Sequence, residues 1–155
     1  MFTGSYPMTV DAKARVTLPA AFRSQIDAVD GKKTLCLLPM KDCVHGYPVN
    51  AFEKYVADLF HHDSEGEDSS RRNRREDTLK RALLSRVVTI DLDSAGRVAL
   101  GKLDASRPGV RENLGLTSEV TVIGVDDHFE VWNTKAWDEL QQELDEELDK
   151  LLFGE

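Results

Sequence analysis

The chain has 155 residues, of which 41% are hydrophobic and 31% charged, and its formal net charge is −8. That length suits one ordinary domain or two very small ones. The longest apolar runs, such as VTVIGV at 120–125, fall far short of the roughly 20 residues that a membrane span needs.

The start, MFTGSYPM, has neither a basic stretch nor an apolar one, so no secretory signal is expected. Cys36 and Cys43 are the only cysteines, which predicts a reducing, cytoplasmic setting without a disulfide framework. The acidic total argues against a nucleic-acid partner, because phosphate repels carboxylate. Its distribution removes that objection. Residues 138–155 hold eight acids against one lysine, whereas 71–86 hold seven Arg or Lys against Glu76 and Asp77. The charge is segregated.

In chain order, the first strong pattern is DAKARVTLPAAFR from Asp11 to Arg23. Asp11 sits where the chain turns, and its carboxylate suits backbone N–H groups that hold the turn. Lys13 and Arg15 are two apart, so extended backbone would project both from one face. Val16 and Leu18 take the other face and anchor a strand. Pro19 ends that strand and suits the start of a short helix carrying Ala20, Ala21, Phe22 and Ile26. TLCLLPM at 34–40 and VHGYPV at 44–49 read as strands, and NAFEKYVADLFHH as a helix capped by Asn50. No apolar residue occurs from His61 to Asp77, which predicts a polar linker over 63–77. TLKRALLSR at 78–86 reads as a basic helix.

DSAGRVALGKLDA from Asp93 then repeats the opening phrase 82 positions on, matching Asp11, Arg15, Val16 and Leu18 with Asp93, Arg97, Val98 and Leu100. VTVIGV and HFEVWN follow as strands. A long helix capped by Asn133 or Thr134 comes last, with Trp137, Leu140, Leu144, Leu148, Leu151 and Leu152 on one stripe. Tyr47 and Phe52 are five apart, as are Trp132 and Trp137. The order of elements is the same in both halves, so the chain reads as an internal duplication. Its parts are a first half at 1–62, the linker at 63–77 and a second half at 78–155. Short strands would leave each half with open edges, so the expected fold is α+β with a mainly β core. Two tandem β-α-β-β units interleave in it into a pseudo-twofold barrel with flanking helices.

An isolated Lys-x-Arg is usually a solvated turn. A strand pair offering Arg and Lys on one side also suits phosphates or a DNA groove. The other candidate chemistry is thin. His61 and His62 are adjacent in a polar stretch and lack further ligands at useful spacing. Cys36 and Cys43 are seven apart and read as buried small side chains. His45 and His128 lie in or before matching strands with no nucleophile arranged around them. No phosphate loop or acid–base pair is visible, so no enzyme, cofactor, metal or small-molecule substrate is expected.

MFTGSYPMTVDAKARVTLPAAFR resembles the N-terminus of the MraZ family, whose members belong to the AbrB-like swapped-hairpin group. Phe2, Gly4, Asp11, Lys13, Arg15, Pro19, Phe22 and Arg23 match the family phrase in register, DCVHGYP at 42–48 resembles its second box, and DSAGR at 93–97 its second turn. Ala14 stands where the family has glycine, and Ala95 and Gly101 take the places of Lys13 and Pro19 in the second half. The resemblance implies a sequence-specific DNA-binding transcriptional regulator, acting as a repressor of a division and cell-wall gene cluster. It implies binding to short direct repeats in double-stranded promoter DNA, assembly into a ring-shaped homo-oligomer, and association with the nucleoid. Lys13, Arg15 and Arg97 would then contact DNA, with the first half contributing more, while Asp11, Asp93 and Gly96 structure the turns. The alternative is an antitoxin-like protein-interaction module of the same fold group.

Overall fold

Alternation of buried and exposed positions builds the strands. In Arg15–Thr17 only the central Val16 is fully buried, and Val98 holds the same place in Arg97–Ala99. A computed structural model describes residues 1–60, 69–105 and 107–154, without the side chains of 69–72. The first half runs β1 (Ser5–Thr9), β2 (Arg15–Thr17), α1 (Ala20–Arg23), β3 (Thr34–Pro39), β4 (Val44–Pro48) and α2 (Val49–Phe60). The second runs α3 (Ser69–Leu84), β5 (Val88–Asp91), β6 (Arg97–Ala99), a 3-10 stretch Leu100–Ala105, α4 (Val110–Asn113), β7 (Glu119–Val125), β8 (His128–Asn133) and α5 (Thr134–Phe153).

The fold is α+β. Six strands form one antiparallel sheet in the order β1-β7-β8-β4-β3-β5, and β2 pairs with β6 in a separate ribbon. Exchanging every strand for its duplicate reverses the sheet order and reproduces it. The pseudo-twofold axis therefore passes between β4 and β8, where His45 lies opposite Glu130, and through the ribbon, where Val16 lies opposite Val98. Strands from the two ends of the chain alternate in the sheet, which is open and not the expected closed barrel. β1 and β5 are its two edges, because the turns at Asp11 and Asp93 carry the chain away from each edge into the ribbon. Pro7, which has no N–H to donate, sits in edge strand β1, where such a residue is tolerated.

The core lies between sheet and ribbon. Phe2, Phe22 and Phe129 pack edge-on and tilted, with centroids 5.2 to 6.0 Å apart, and Val16, Leu18, Val98 and Leu100 close over them. Burying each such ring contributes roughly 1.5–3 kcal/mol. A second cluster, with Cys36, Leu38, Tyr47, Phe52 and Leu83, sits beneath α2 and α3. The five-residue aromatic spacing has a common use. Phe52 meets Tyr47 at 5.6 Å and Trp137 meets Trp132 at 5.6 Å, so each half's long helix is pinned to the strand before it.

Helix ends and lengths depart from the sequence reading in three places. Asn133 caps α5 by accepting from Ala136 N at 3.0 Å, but α2 begins at Val49, which puts Asn50 inside its first turn. The polar run expected as linker becomes helical at Ser69, since its arginines are good helix formers; the rest of that linker, 63–68, lies outside the described residues. On α5 only the first part of the apolar stripe packs. Leu148, Leu151 and Leu152 are 52%, 74% and 65% exposed.

Gly46 lies under the Phe129 ring, where an added β-carbon would come within 2.3 Å of Cζ. Gly46→Ala is expected to cost about 1–3 kcal/mol in urea unfolding. The cost should shrink in a Phe129→Leu background, which a double-mutant cycle measures.

Candidate nucleic-acid interface

The two Asp-x-x-x-Arg turns are built alike, and in each one carboxylate organises the loop. Asp11 Oδ1 accepts from the backbone N–H of Lys13 and of Arg15, both at 2.9 Å, and Oδ2 accepts from Arg15 Nε at 2.9 Å. Asp93 accepts from Ala95 N at 3.0 Å, Arg97 N at 2.9 Å and Arg97 Nε at 2.6 Å. Ala14 N donates to Asp11 O at 3.0 Å and Gly96 N to Asp93 O at 2.9 Å, closing a tight turn in each case. The backbone N–H of Arg15, together with its guanidinium, holds the Asp11 carboxyl below its ordinary value, and Arg97 does the same for Asp93. What these carboxylates contribute is present above the unfolded value and is lost as pH falls through the lowered folded one.

A turn of this shape ends on a left-handed residue. Gly96 has φ 76° and Ala14 has φ 60°. Gly96 cannot carry a side chain cheaply, since a β-carbon there would lie 2.2 Å from Arg23 Cδ. Arg23 crosses from the first half and donates from Nη1 to Ala95 O at 3.1 Å, so it clamps the second turn. The duplicate of Arg23 is Ala105, whose methyl group cannot supply such a clamp to the first turn. Ala14 Cβ instead lies 3.5 Å from where a β-carbon on Gly101 would be. The alanine that corresponds to Gly96 thus faces a glycine that corresponds to Pro19 of the first half.

The ribbon brings the two turns together. Its outer face carries Arg15, Thr17, Arg97 and Ala99, opposite the buried Val16 and Val98. Arg15 and Arg97 are diagonal neighbours across it, roughly 7–8 Å apart at the backbone. Arg15 Nη1 reaches Asp93 at 4.0 Å, linking the charges into one cluster of two Asp–Arg pairs. Lys13 is exposed at the turn and has no ion-pair partner among the described residues. It does not share an extended face with Arg15, because the turn intervenes and Arg15 folds back onto Asp11. Both arginines are one-quarter to one-third exposed and each is oriented through Nε, with Arg15 Nη1 also facing Asp93.

A second cluster lies on the pseudo-twofold axis, away from the turns. Glu130 accepts from Trp132 Nε1 at 2.9 Å, while His45 Nε2 and His128 Nε2 lie 3.2 and 3.0 Å from its Oε2. Cys43 Sγ is 3.8 Å from Oε1. Burial opposes the charge on His128, yet Glu130 and Asp127 outweigh it and raise its pKa; burial lowers that of His45. Burial also pushes the Cys43 thiol up. Burial works against the Glu130 carboxylate, but its hydrogen bonds to His128 and Trp132 hold it below the ordinary value. The sequence held one signal for this cluster: Cys43-x-His45 and His128-x-Glu130 occupy duplicate positions with the same spacing. Only the strand register shows that they converge.

The chain matches the protein family described as "MraZ protein, putative antitoxin-like" over residues 1–76 and 83–151. It is 34% identical to the "Transcriptional regulator MraZ" of Alcanivorax borkumensis, over 94% of this chain and 91% of that one. Proteins of the same name from Lactobacillus gasseri and Neisseria meningitidis are 28% and 29% identical, over 97% and 99% of this chain and 94% of each of theirs. The strand-borne Asp–Arg turns of a duplicated α+β chain thus occur in a group whose named members are transcriptional regulators. The chain belongs to the MraZ family.

The two left-handed positions should respond oppositely to exchange. Gly96→Ala is expected to lower unfolding free energy by about 1–2 kcal/mol through backbone strain, with added loss from displacing Arg23. Ala14→Gly relieves similar strain while adding unfolded-state entropy, for a net gain of about 0.5–1 kcal/mol. Equilibrium urea unfolding of both variants measures the contrast.

Proposed function

We propose that this protein is a sequence-specific DNA-binding transcriptional regulator that contacts double-stranded promoter DNA through its two Asp–Arg turns. The observation carrying this reading is the juxtaposition, across one short ribbon, of two oriented arginines beside an exposed lysine in a chain of this family. Arg15 and Arg97 are held in place before any ligand arrives, so little side-chain entropy remains to be lost on binding. Lys13 supplies the mobile charge that tracks phosphate. Asp11, Asp93 and Gly96 keep both turns in shape.

Three cations per chain make a weak site, so the reading includes assembly into a ring-shaped homo-oligomer that presents many turns to repeated boxes. The exposed leucines toward the end of α5 supply apolar surface for such assembly. The acids of α5 lie on the segment after β8, apart from the ribbon. The targets in this reading are direct repeats ahead of a division and cell-wall cluster, with repression as the outcome in a nucleoid-associated, cytoplasmic setting. The antitoxin-like reading assigns the same α5 leucines and acids to a protein partner, and it requires no DNA affinity.

Fluorescence anisotropy with duplex from upstream of the protein's own gene separates the two. Affinity should fall linearly with salt on logarithmic axes. Lys13→Ala should weaken binding and reduce that slope by about 1 per engaged turn. Ala95→Lys, which returns the missing lysine to the second turn, should tighten binding, whereas Lys54→Ala on α2 should leave it unchanged. Wild-type affinity in the Lys13→Ala and Arg15→Ala variants would refute the assignment of these turns.

A further inference from the structure

Residues two apart in a strand share a face, and directly paired residues on antiparallel strands share it too. Cys43 and His45 lead into and along β4. Glu130 on β8 is the direct partner of His45. One donor atom from each of Cys43, His45 and Glu130 lies within 4.8 Å of the other two, and all three side chains are mostly buried. We infer that these three residues form a Zn²⁺ site that staples the two halves together across the pseudo-twofold axis.

The distances suit a small ion. Zinc binds sulfur at about 2.3 Å and nitrogen or oxygen at about 2.0–2.2 Å, so tetrahedral ligands stand about 3.3–3.7 Å apart. The observed separations are 3.2 Å from His45 Nε2 to Glu130 Oε2 and 3.8 Å from Cys43 Sγ to Glu130 Oε1. The remaining pair, Cys43 and His45, stands within 4.8 Å, so side-chain movements of about an ångström close the set, and a water would take the fourth position.

The chemistry of the donors selects the metal. Magnesium and calcium take oxygen ligands, whereas a thiolate, an imidazole and a carboxylate together suit zinc. The thiolate and carboxylate neutralise the ion, so no net charge is left buried. Without a cation the buried Cys43 thiol donates only a long, weak hydrogen bond to Glu130 Oε1, at 3.8 Å. Glu130 is also oriented as metal-bound carboxylates are. His128 Nε2 lies 3.0 Å from Oε2, Trp132 Nε1 donates to Oε1 at 2.9 Å, and His128 Nδ1 is fixed 2.7 Å from Asp127. Binding displaces the Cys43 thiol proton to solvent, and the thiolate lone pair forms the bond to zinc. Cys43 and His45 come from the first half and Glu130 from the second, so the ion bridges segments far apart in sequence.

The test uses the full-length chain freed of metal with a chelator and then titrated with Zn²⁺ by calorimetry, with Co²⁺ as a spectroscopic substitute. The expected result is one ion per chain, a higher thermal midpoint with Zn²⁺, and a thiolate-to-cobalt charge-transfer band. Cys43→Ser is close in shape and should keep the fold, abolish that band and weaken Zn²⁺ binding at least about tenfold. A His61→Ala/His62→Ala double variant should keep both the band and the affinity. Failure of the wild type to bind stoichiometrically would overturn the site, as would undiminished Zn²⁺ affinity in Cys43→Ser.

Discussion

Every strand among the described residues has a hydrogen-bond partner in the other half, and only the hairpins β3–β4 and β7–β8 also pair within a half. β1 pairs with β7, β5 with β3, β4 with β8 and β2 with β6. Unpaired backbone N–H and C=O groups are costly when buried, so neither half can close its core without the other. This constraint generates the rest of the molecule. It places Val16 against Val98 at the centre of the ribbon, and the ribbon roofs the Phe2, Phe22 and Phe129 cluster. It also brings two turns that are distant in sequence to within reach of one another, as the approach of Arg15 to Asp93 records.

What could be read from the sequence was whatever depends on near neighbours. The Asp11 and Asp93 turns, the period-two burial of Val16 and Val98, the α1 start at Pro19 and the paired aromatics at 47/52 and 132/137 all have local causes. What could not be read depends on register or on distant packing. The open sheet follows from both edge strands leaving for the ribbon, which no local pattern encodes. α3 reaches back to Ser69 through residues without apolar character, where helix propensity acts without the periodicity that reveals it. The leucine stripe of α5 is periodic along its length, but only tertiary structure distinguishes a packed turn from one that projects. The Cys43, His45 and Glu130 cluster is of the same kind, since its members meet only when β4 and β8 are aligned.

The two halves also differ from one another, and the differences are coordinated. Ala14 holds in the first turn the place that Gly96 holds in the second, and the residue near its methyl group is Gly101, the duplicate of Pro19. Gly96 is retained in the second turn, where Arg23 lies against it, and the duplicate of Arg23 is Ala105. Each turn is therefore matched to residues contributed by the opposite half. A symmetric dimer of identical halves could not do this, because every change would appear twice. Joining the halves in one chain lets a substitution and its accommodation sit on opposite sides of the axis.

Interleaving has a further consequence for how the protein is made. Ser5 pairs with Ile123, so β1 leaves the ribosome more than 110 residues ahead of that partner. At about 5–20 residues per second the wait is on the order of ten seconds, during which β1 lacks the strand it pairs with. The sequence of β1, SYPMT, suits that interval, because a proline and polar side chains make it a poor template for pairing between nascent chains. Contacts of such long range also make folding slow once synthesis ends. The same strand exchange that sets the two turns side by side delays assembly until β7 and β8 have been made.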